Sequence, residues 1–355
     1  MKSIKSVGYT IYIGNQIFDQ LTHFISAQHY SKYIILCDEN TLTHCLPLLL
    51  QHTQQFEEAE VIEIEPGEQS KSIEIATHIW QTLLDVKADK QTLLINLGGG
   101  VVSDLGGFVA STYKRGIDYI NIPTSLLAMA DASVGGKTGI DFGSIKNSIG
   151  TISQPKAVFI YPDFLQTLAN NHLKNGLAEV YKIALTCSAP FWKTLSAPKA
   201  AISLEQLITK SVSLKNSIVK KDPTEKNIRK ALNFGHTAGH AIEATLLGTK
   251  STLLHGEAII IGIIMESWLS YQKKLMTKSE LTEIVSVLIA RFKPKAIDKK
   301  HIASIIELTL QDKKNKNQQI QAALLKGIGH YQLDVAVSIT HIEKAFDFYN
   351  VQVKQ

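Results

Sequence analysis

The chain has 355 residues, 45% hydrophobic and 19% charged, with a formal net charge of +5 at pH 7. That length supports two domains or one large α/β unit, and the composition is that of an ordinary soluble globular protein. Basic residues are scattered with no aromatic-interleaved stripe, which argues against nucleic-acid binding and leaves room for a small anionic substrate.

Residues 1–14 alternate apolar and polar (Val7, Tyr9, Ile11, Ile13), the pattern of an edge or hairpin strand closed by Gly14-Asn15. The same stretch lacks the apolar core of a secretory leader. Cys37, Cys45 and Cys187 are three, widely spaced, and form no C-x-x-C, so no disulfide framework is expected. The apolar run 258–265 is too short to cross a bilayer. A reducing cytoplasmic setting with no membrane partner is the expectation.

A helix is predicted over 16–27, then a buried parallel-type strand in YIILCDEN (33–40), with Asp38 and Asn40 at its carboxyl end. An α/β sheet places ligand contacts there, and an acid can bond ribose hydroxyls. VIEIEPGEQSKS (61–72) reads as strand, Pro-Gly turn and helix opening, with Glu68, Ser70 and Lys71 at the opening and Ser70 or Ser72 as cap. QTLLINLGGGVVSDLGGFVAS (91–111) reads as strand, glycine turn and helix. Gly98, Gly99 and Gly100 let backbone approach a phosphate, although Ser103 stands where G-x-G-x-x-G would have its last glycine. A plain strand-to-helix turn has the same spacing. A short strand then ends at Pro123, with the Thr124 and Ser125 hydroxyls after it. The segment 131–147, with Asp131, Lys137, Lys146, Asn147 and several glycines, reads as a close-fitting polar site for an anion. AVFIYPDF (157–164) reads as the last strand of this half.

Beyond about residue 165 helical periodicity takes over. Glu179 and Lys182 share one face of a helix over 172–185, where Glu179 is a candidate metal ligand; the pair also reads as an i,i+3 surface ion pair. SLEQLITKSVSLKNSIVKKD (203–222) is an amphipathic helix carrying Lys215, and Glu225, Arg229 and Asn233 follow. His236 and His240 are four apart on a helical face, Glu243 lies a turn further, and His255 sits in a His-Gly-Glu turn before an apolar run. Such imidazoles suit Zn²⁺ or a similar ion, and three protein ligands would leave a position open for substrate. Histidine pairs at this spacing also occur without a metal, and H-E-x-x-H is absent. Residues 278–355 read as three helices with a strand-like patch near 320–333. The expected architecture is a Rossmann-like α/β nucleotide-binding domain, 1–165, and an all-α metal- and substrate-binding domain, 166–355, with a ligand cleft between them.

Taken together, PGEQSK, NLGGGVVSDLGGFVASTYKRGI, IPTSLLAMADASVGGKTGID, GLAEVYK, RKALNFGHTAGHAIE, LLHGEA and DKK, in this order, resemble the 3-dehydroquinate synthases, sugar phosphate cyclases of the shikimate pathway of aromatic amino acid biosynthesis. The resemblance runs along nearly the whole chain. It implies Zn²⁺, or Co²⁺, on Glu179, His236 and His255, and moves His240 to the substrate phosphate. It implies NAD⁺ on Asp38, Asn40, Glu68, Lys71, Gly99, Gly100, Val101, Asp104, Thr124, Ser125 and Lys146, joined by Phe164 and Thr167. Substrate contacts map onto Arg115, Asp131, Lys137, Asn147, Lys182, Lys215, Arg229, Asn233, His240 and one of Lys313 and Lys314, with Lys314 preferred. Lys215 and Arg229 would hold the substrate carboxylate. Lys137, Asn147, His240 and the late lysine would hold its phosphate, and Arg115 would reach a neighbouring subunit in a homodimer.

The implied lyase reaction converts 3-deoxy-D-arabino-heptulosonate 7-phosphate to 3-dehydroquinate and phosphate. It passes through transient oxidation by NAD⁺, phosphate elimination, reduction, ring opening and intramolecular aldol closure. Met129-Ala130, Pro223-Thr224 and the length of the His240–His255 link depart from the family's usual pattern and bear on loop geometry. The alternatives are another cyclase such as a 2-deoxy-scyllo-inosose synthase, whose substrate lacks the carboxylate; a glycerol-dehydrogenase-like metal alcohol dehydrogenase; or an inactive nucleotide-binding scaffold.

Overall fold

A computed structural model describes residues 1–143, 145–198, 202–310 and 320–354. By contacts the chain divides into two compact units: Met1–Gly176 with Ser203–Pro223, and Leu177–Ile202 with Thr224–Gln355. The helix over 203–222 therefore clusters with the first unit, a placement its position in the sequence does not reveal.

The first unit is built on a seven-stranded sheet in the order β1-β2-β9-β6-β5-β3-β4. Its strands are β1 (Lys2–Lys5), β2 (Thr10–Ile13), β3 (Lys32–Asp38), β4 (Glu60–Ile64), β5 (Thr92–Gly98), β6 (Asp118–Pro123) and β9 (Ala157–Ile160). Only β1 and β2 pair antiparallel; β2–β9, β9–β6, β6–β5, β5–β3 and β3–β4 are parallel. The opening alternation is thus a hairpin of two strands, and AVFI, last in sequence, lies inside the sheet. Every residue of β5 is buried, which is why that run reads as continuously apolar rather than alternating. From β3 the chain steps outward to β4 and then returns to the other side of β3 as β5. The strand order reverses at this point, so the carboxyl ends of β3 and β5 open there as the place an open α/β sheet offers for ligands.

Local chemistry sets the helix starts. Asp38 caps helix Glu39–His44 through Thr41 N–H at 2.9 Å. Ser72 caps Ile73–Asp85 by accepting from Ile75 N at 3.4 Å, while Ser70 donates to the Glu65 carbonyl at 2.6 Å. Ile34, Leu36, Leu94, Leu105 and Val109 form the core between sheet and helices. The glycine-rich segment 131–147, expected as a polar anion site, takes part in regular structure: a π-helical turn, Ala128–Ala132, then a separate hairpin of β7 (Lys137–Phe142) and β8 (Ile145–Ile152). Glycine and polar residues interrupt the alternation that marks a strand, and the apolar side chains Phe142, Ile145, Ile149 and Ile152 are exposed. A buried pair supports the π turn: Asn96 and Asn121, in register on β5 and β6, hydrogen-bond at 2.9 Å, and Asn121 donates to Ser133 O at 3.2 Å.

The second unit is helical with one hairpin, β10 (Ile320–Leu325) and β11 (Tyr331–Val337), where the strand-like patch was read. Helices Lys278–Phe292, Lys299–Leu310 and Ile339–Gln352 account for the three expected after residue 278. At its centre runs His255–Gln272, buried continuously from Ala258 to Ser267. Apolar on all sides, it is a core helix rather than an amphipathic surface one. Among the described residues no helix is long and apolar enough to cross a membrane.

Candidate active site

In the second unit the histidine segment folds as predicted for His236 and His240, both on helix His236–Leu246. His255 differs from expectation: it opens helix His255–Gln272 instead of sitting in a free turn. The following apolar run is that helix, so the His-Gly-Glu turn is its first turn, with Glu257 Oε2 accepting from Leu254 N at 2.8 Å. Glu179, on helix Asn170–Cys187, is buried with Lys182 at 1% and 2% side-chain exposure, and the two form an ion pair through Oε2. Its surface reading is thereby excluded.

The other oxygen of Glu179 faces imidazoles. Oε1 lies 3.1 Å from His255 Nε2 and 3.6 Å from His236 Nε2. His240 is also close: donor atoms of His236, His240 and His255 fall within 4.8 Å of one another. Four candidate donors therefore converge, and proximity alone does not choose three. The surroundings favour His236 and His255. His236 Nδ1–H is placed to donate to Phe234 O at 3.2 Å, and His255 Nδ1–H to Glu243 Oε2 at 3.0 Å. Each bond occupies Nδ1 and turns Nε2 towards Glu179, the nitrogen that an imidazole offers a cation once its proton is given up. Glu243 was visible in the sequence only as a carboxylate one turn from His240; its partner, His255, is twelve residues away.

Burial would lower the His255 pKa, but hydrogen bonds to Glu179 and Glu243 outweigh it and hold it at about 10. Those two carboxylates favour the protonated ring. Because its folded pKa is raised, the stability from this ion pair is complete below about 6.5 and lost as pH rises towards 10. A divalent cation held by His255 would have to displace this proton. Its apparent affinity should therefore rise about tenfold per pH unit between pH 7 and 9, with release of close to one proton per ion. Calorimetry in two buffers of different ionisation enthalpy measures that proton; a buffer-independent heat would contradict the protonation state.

Arg229 and Asn233, on the 3₁₀ segment Ile228–Asn233, meet Glu225: Asn233 Nδ2 donates to its Oε1 at 2.6 Å, and Arg229 Nε lies 4.0 Å from Oε2. Glu225, at φ +58°, is a further residue whose role spacing did not reveal. Lys313 and Lys314 lie outside the described residues.

In the first unit the residues expected at a nucleotide follow the carboxyl ends of β3, β4, β5, β6 and β9, with Lys146 on β8. Asp38 ends β3 and Asn40 is exposed on the helix it caps. Gly99, Gly100 and Val101 form the start of helix Gly100–Thr112, which has no side-chain cap. A Cβ on Gly98 would lie 2.5 Å from Val102, so only glycine permits this turn. Thr124 N bonds Gly98 O at 3.0 Å, and Ser125 Oγ accepts from Ala128 N at 3.3 Å. Lys71 is buried, with Nζ 2.6 Å from Asp104 Oδ2 and hydrogen-bonded to Asn147; Lys146 pairs with Glu68 at 3.0 Å. Phe164 is buried against Tyr161, and Thr167 donates to Phe164 O at 3.4 Å.

Of the substrate candidates here, Asp131 lies in the π turn and pairs with Lys215, whose Nζ also donates to Asp131 O at 2.6 Å. Lys137 opens β7 and is exposed. Asn147 sits on β8 at φ +51°, held by donation of its N–H to Asp141 Oδ1 at 2.7 Å. Asp141 is another supporting carboxylate with no sequence signal. Arg115 is exposed at φ +64°.

The chain was compared with known proteins. Among solved structures it resembles 2-deoxy-scyllo-inosose synthase complexed with carbaglucose-6-phosphate, NAD⁺ and Co²⁺ (TM-score 0.85, 22% identity, 97% of this chain and 99% of that one). It also resembles 2-epi-5-epi-valiolone synthase from Streptomyces hygroscopicus with NAD⁺ and Zn²⁺ bound (TM-score 0.82, 25% identity, 98% of each chain). The fold is thus that of the sugar phosphate cyclases. The 3-dehydroquinate synthase N-terminal family profile matches residues 61–175 and the C-terminal one residues 176–315. The 3-dehydroquinate synthase of Parabacteroides distasonis is 37% identical over 343 residues, 96% of this chain and 97% of its own; that of Clostridium botulinum is 38% identical over 332 residues, 92% and 94%. The chain belongs to the 3-dehydroquinate synthase family and is an enzyme of its phosphate-eliminating lyase type.

Proposed function

We propose that the chain converts 3-deoxy-D-arabino-heptulosonate 7-phosphate to 3-dehydroquinate and phosphate, using NAD⁺ and a divalent cation. The observation that carries this reading is the Glu179 carboxylate oxygen set between the Nε2 atoms of His255 and His236. One carboxylate oxygen with two imidazole nitrogens is a donor set that Zn²⁺ or Co²⁺ takes. Glu179, His236 and His255 would hold the ion, which when bound supplies Lewis-acid polarisation of substrate hydroxyls. The uncapped opening of helix Gly100–Thr112, with Asp38, Lys71, Asp104 and Lys146 around the same strand ends, fits a dinucleotide, and NAD⁺ supplies a reversible hydride acceptor.

The chain's own residues bind and orient. Lys215, Arg229 and Asn233 would take the carboxylate; Lys137, Asn147 and His240 the phosphate; Asp131 and Lys182 the hydroxyls. Fixed charges of this kind require no reorganisation as the reaction proceeds. In this reading the leaving phosphate carries away the proton lost in its own elimination, so the side chains need only hold it. The proposal includes a homodimer, with Arg115 towards the neighbouring subunit, and a reducing cytoplasmic setting, in keeping with three free cysteines.

The test is incubation with the heptulosonate phosphate, Zn²⁺ and catalytic NAD⁺. Phosphate and a carboxylated carbocycle should form in equal amounts without net NADH. Net NADH without phosphate would instead indicate a metal alcohol dehydrogenase, and turnover of a substrate lacking the carboxylate another cyclase. Arg229→Lys should raise KM about tenfold, about 1.4 kcal/mol, with kcat little changed, because a point charge cannot reproduce a bidentate fork. Steady-state kinetics check it, and an unchanged KM would remove Arg229 from the carboxylate.

A further inference from the structure

Helix His255–Gln272 carries one acid deep in its apolar run, Glu266, at 0% exposure. A carboxylate buried this far costs several kcal/mol unless it is fully bonded, and Glu266 is bonded to backbone. Oε2 accepts from Gly235 N at 2.7 Å, and Oε1 accepts from Thr237 N at 3.0 Å and Ala238 N at 3.2 Å. These are N–H groups at the opening of helix His236–Leu246, which has no side-chain cap of its own. A helix leaves its first N–H groups without partners and presents partial positive charge there. Glu266 supplies both the missing acceptors and the opposite charge, from a different helix.

The three bonded positions bracket His236. The two helices also touch backbone to backbone: a Cβ on Gly262 would lie 2.0 Å from Gly235 O, and Gly235 itself is at φ +81°. Ile259 and Ile263 of the longer helix pack against Gly239 and Gly235, and the Glu266 carboxylate adds polar bonds to this close contact. One rigid helix therefore presents His255 at its first residue and, eleven residues or about 16 Å further on, fixes the helix that presents His236 and His240.

We propose that Glu266 is a positioning residue for the metal centre, holding the His236 backbone at the distance from His255 at which both rings meet Glu179. The inference rests on the metal reading above. Its bonds to the backbone on either side of His236 carry its effect through helix placement.

The experiment is titration of metal-free wild type and Glu266→Gln with Co²⁺, reading affinity and visible absorption, alongside melting of the metal-free proteins. The glutamine keeps the shape but offers one acceptor where the carboxylate offers two. The expected result is a folded variant that binds Co²⁺ about 10- to 100-fold more weakly, with altered absorption of the bound ion. Should Glu266→Gln fail to fold, Glu266→Asp, which keeps the charge one methylene short, is measured instead with the same expectation. Wild-type affinity and spectrum in a folded variant overturn the proposal, even with a lowered melting temperature. Failure of both variants to fold also overturns it, since Glu266 would then serve folding alone. If wild type itself binds no Co²⁺, the metal reading falls first and the inference with it.

Discussion

Replacing His255 with alanine is expected to lower zinc-dependent phosphate release by about 10³-fold or more while leaving the protein folded. The magnitude follows from the ion's role: Lewis-acid stabilisation is worth several kcal/mol, and each 1.36 kcal/mol is about a factor of ten in rate. Glu179 and His236 alone are too few donors to retain Zn²⁺ against solvent. The fold should survive because the His255 side chain is partly exposed at the first residue of its helix, while the apolar core of that helix begins at Ala258. The structural cost is the Glu243 carboxylate left without its ring, on the order of 1–3 kcal/mol. His240→Ala is the necessary comparison, since its ring lies within the same cluster. Measuring bound zinc in both variants separates them: the His240 variant should keep the ion and lose phosphate affinity, whereas the His255 variant should lose the ion. Stoichiometric zinc with full turnover in His255→Ala would end the ligand assignment.

That comparison is needed because the sequence shows some of these contacts and conceals others. The α/β half was legible where burial makes periodicity plain: β3 and β5 read as continuous apolar runs because they are interior parallel strands. The β7–β8 hairpin was not, since glycines and polar residues give neither period. The histidines were legible through helical spacing and Glu179 as an acid in an apolar stretch. What stayed hidden is the support beneath them. Glu243 meets His255 across twelve residues, and Glu266 reaches back twenty-eight to thirty-one residues to Ala238, Thr237 and Gly235. Asp141 meets Asn147 across a turn whose register sequence cannot fix. Spacing along a chain reports neighbours within one element, whereas these carboxylates act between elements. Only a lone acid inside an apolar helix, as at Glu266, hints at such a role, and the hint names no partner.

A second large effect is expected at Lys71, where stability and cofactor affinity should come apart. Lys71 is buried beside Asp104, Glu68 and Asp141; burial alone would lower its pKa, but these carboxylates outweigh it and keep the ammonium charged. Lys71→Met would leave the half-buried Asp104 without its nearest cation, which costs about 1–3 kcal/mol. Burial already pushes the Asp104 carboxyl upward. In the variant it would be free to take up a proton on folding, so the penalty should shrink at acidic pH and grow as pH rises above the ordinary carboxylate range. Adding Asp104→Leu removes the stranded charge, and the double variant should recover most of the stability, because a buried pair replaced by apolar groups is close to neutral. NAD⁺ affinity should not recover. Losing charge-assisted contacts worth about 1.5–3 kcal/mol weakens binding roughly ten- to hundredfold, and restoring the fold returns none of them. Urea midpoints across pH together with NAD⁺ titrations follow both quantities. If the double variant regained NAD⁺ affinity along with stability, Lys71 and Asp104 would be a structural pair and no part of the nucleotide site.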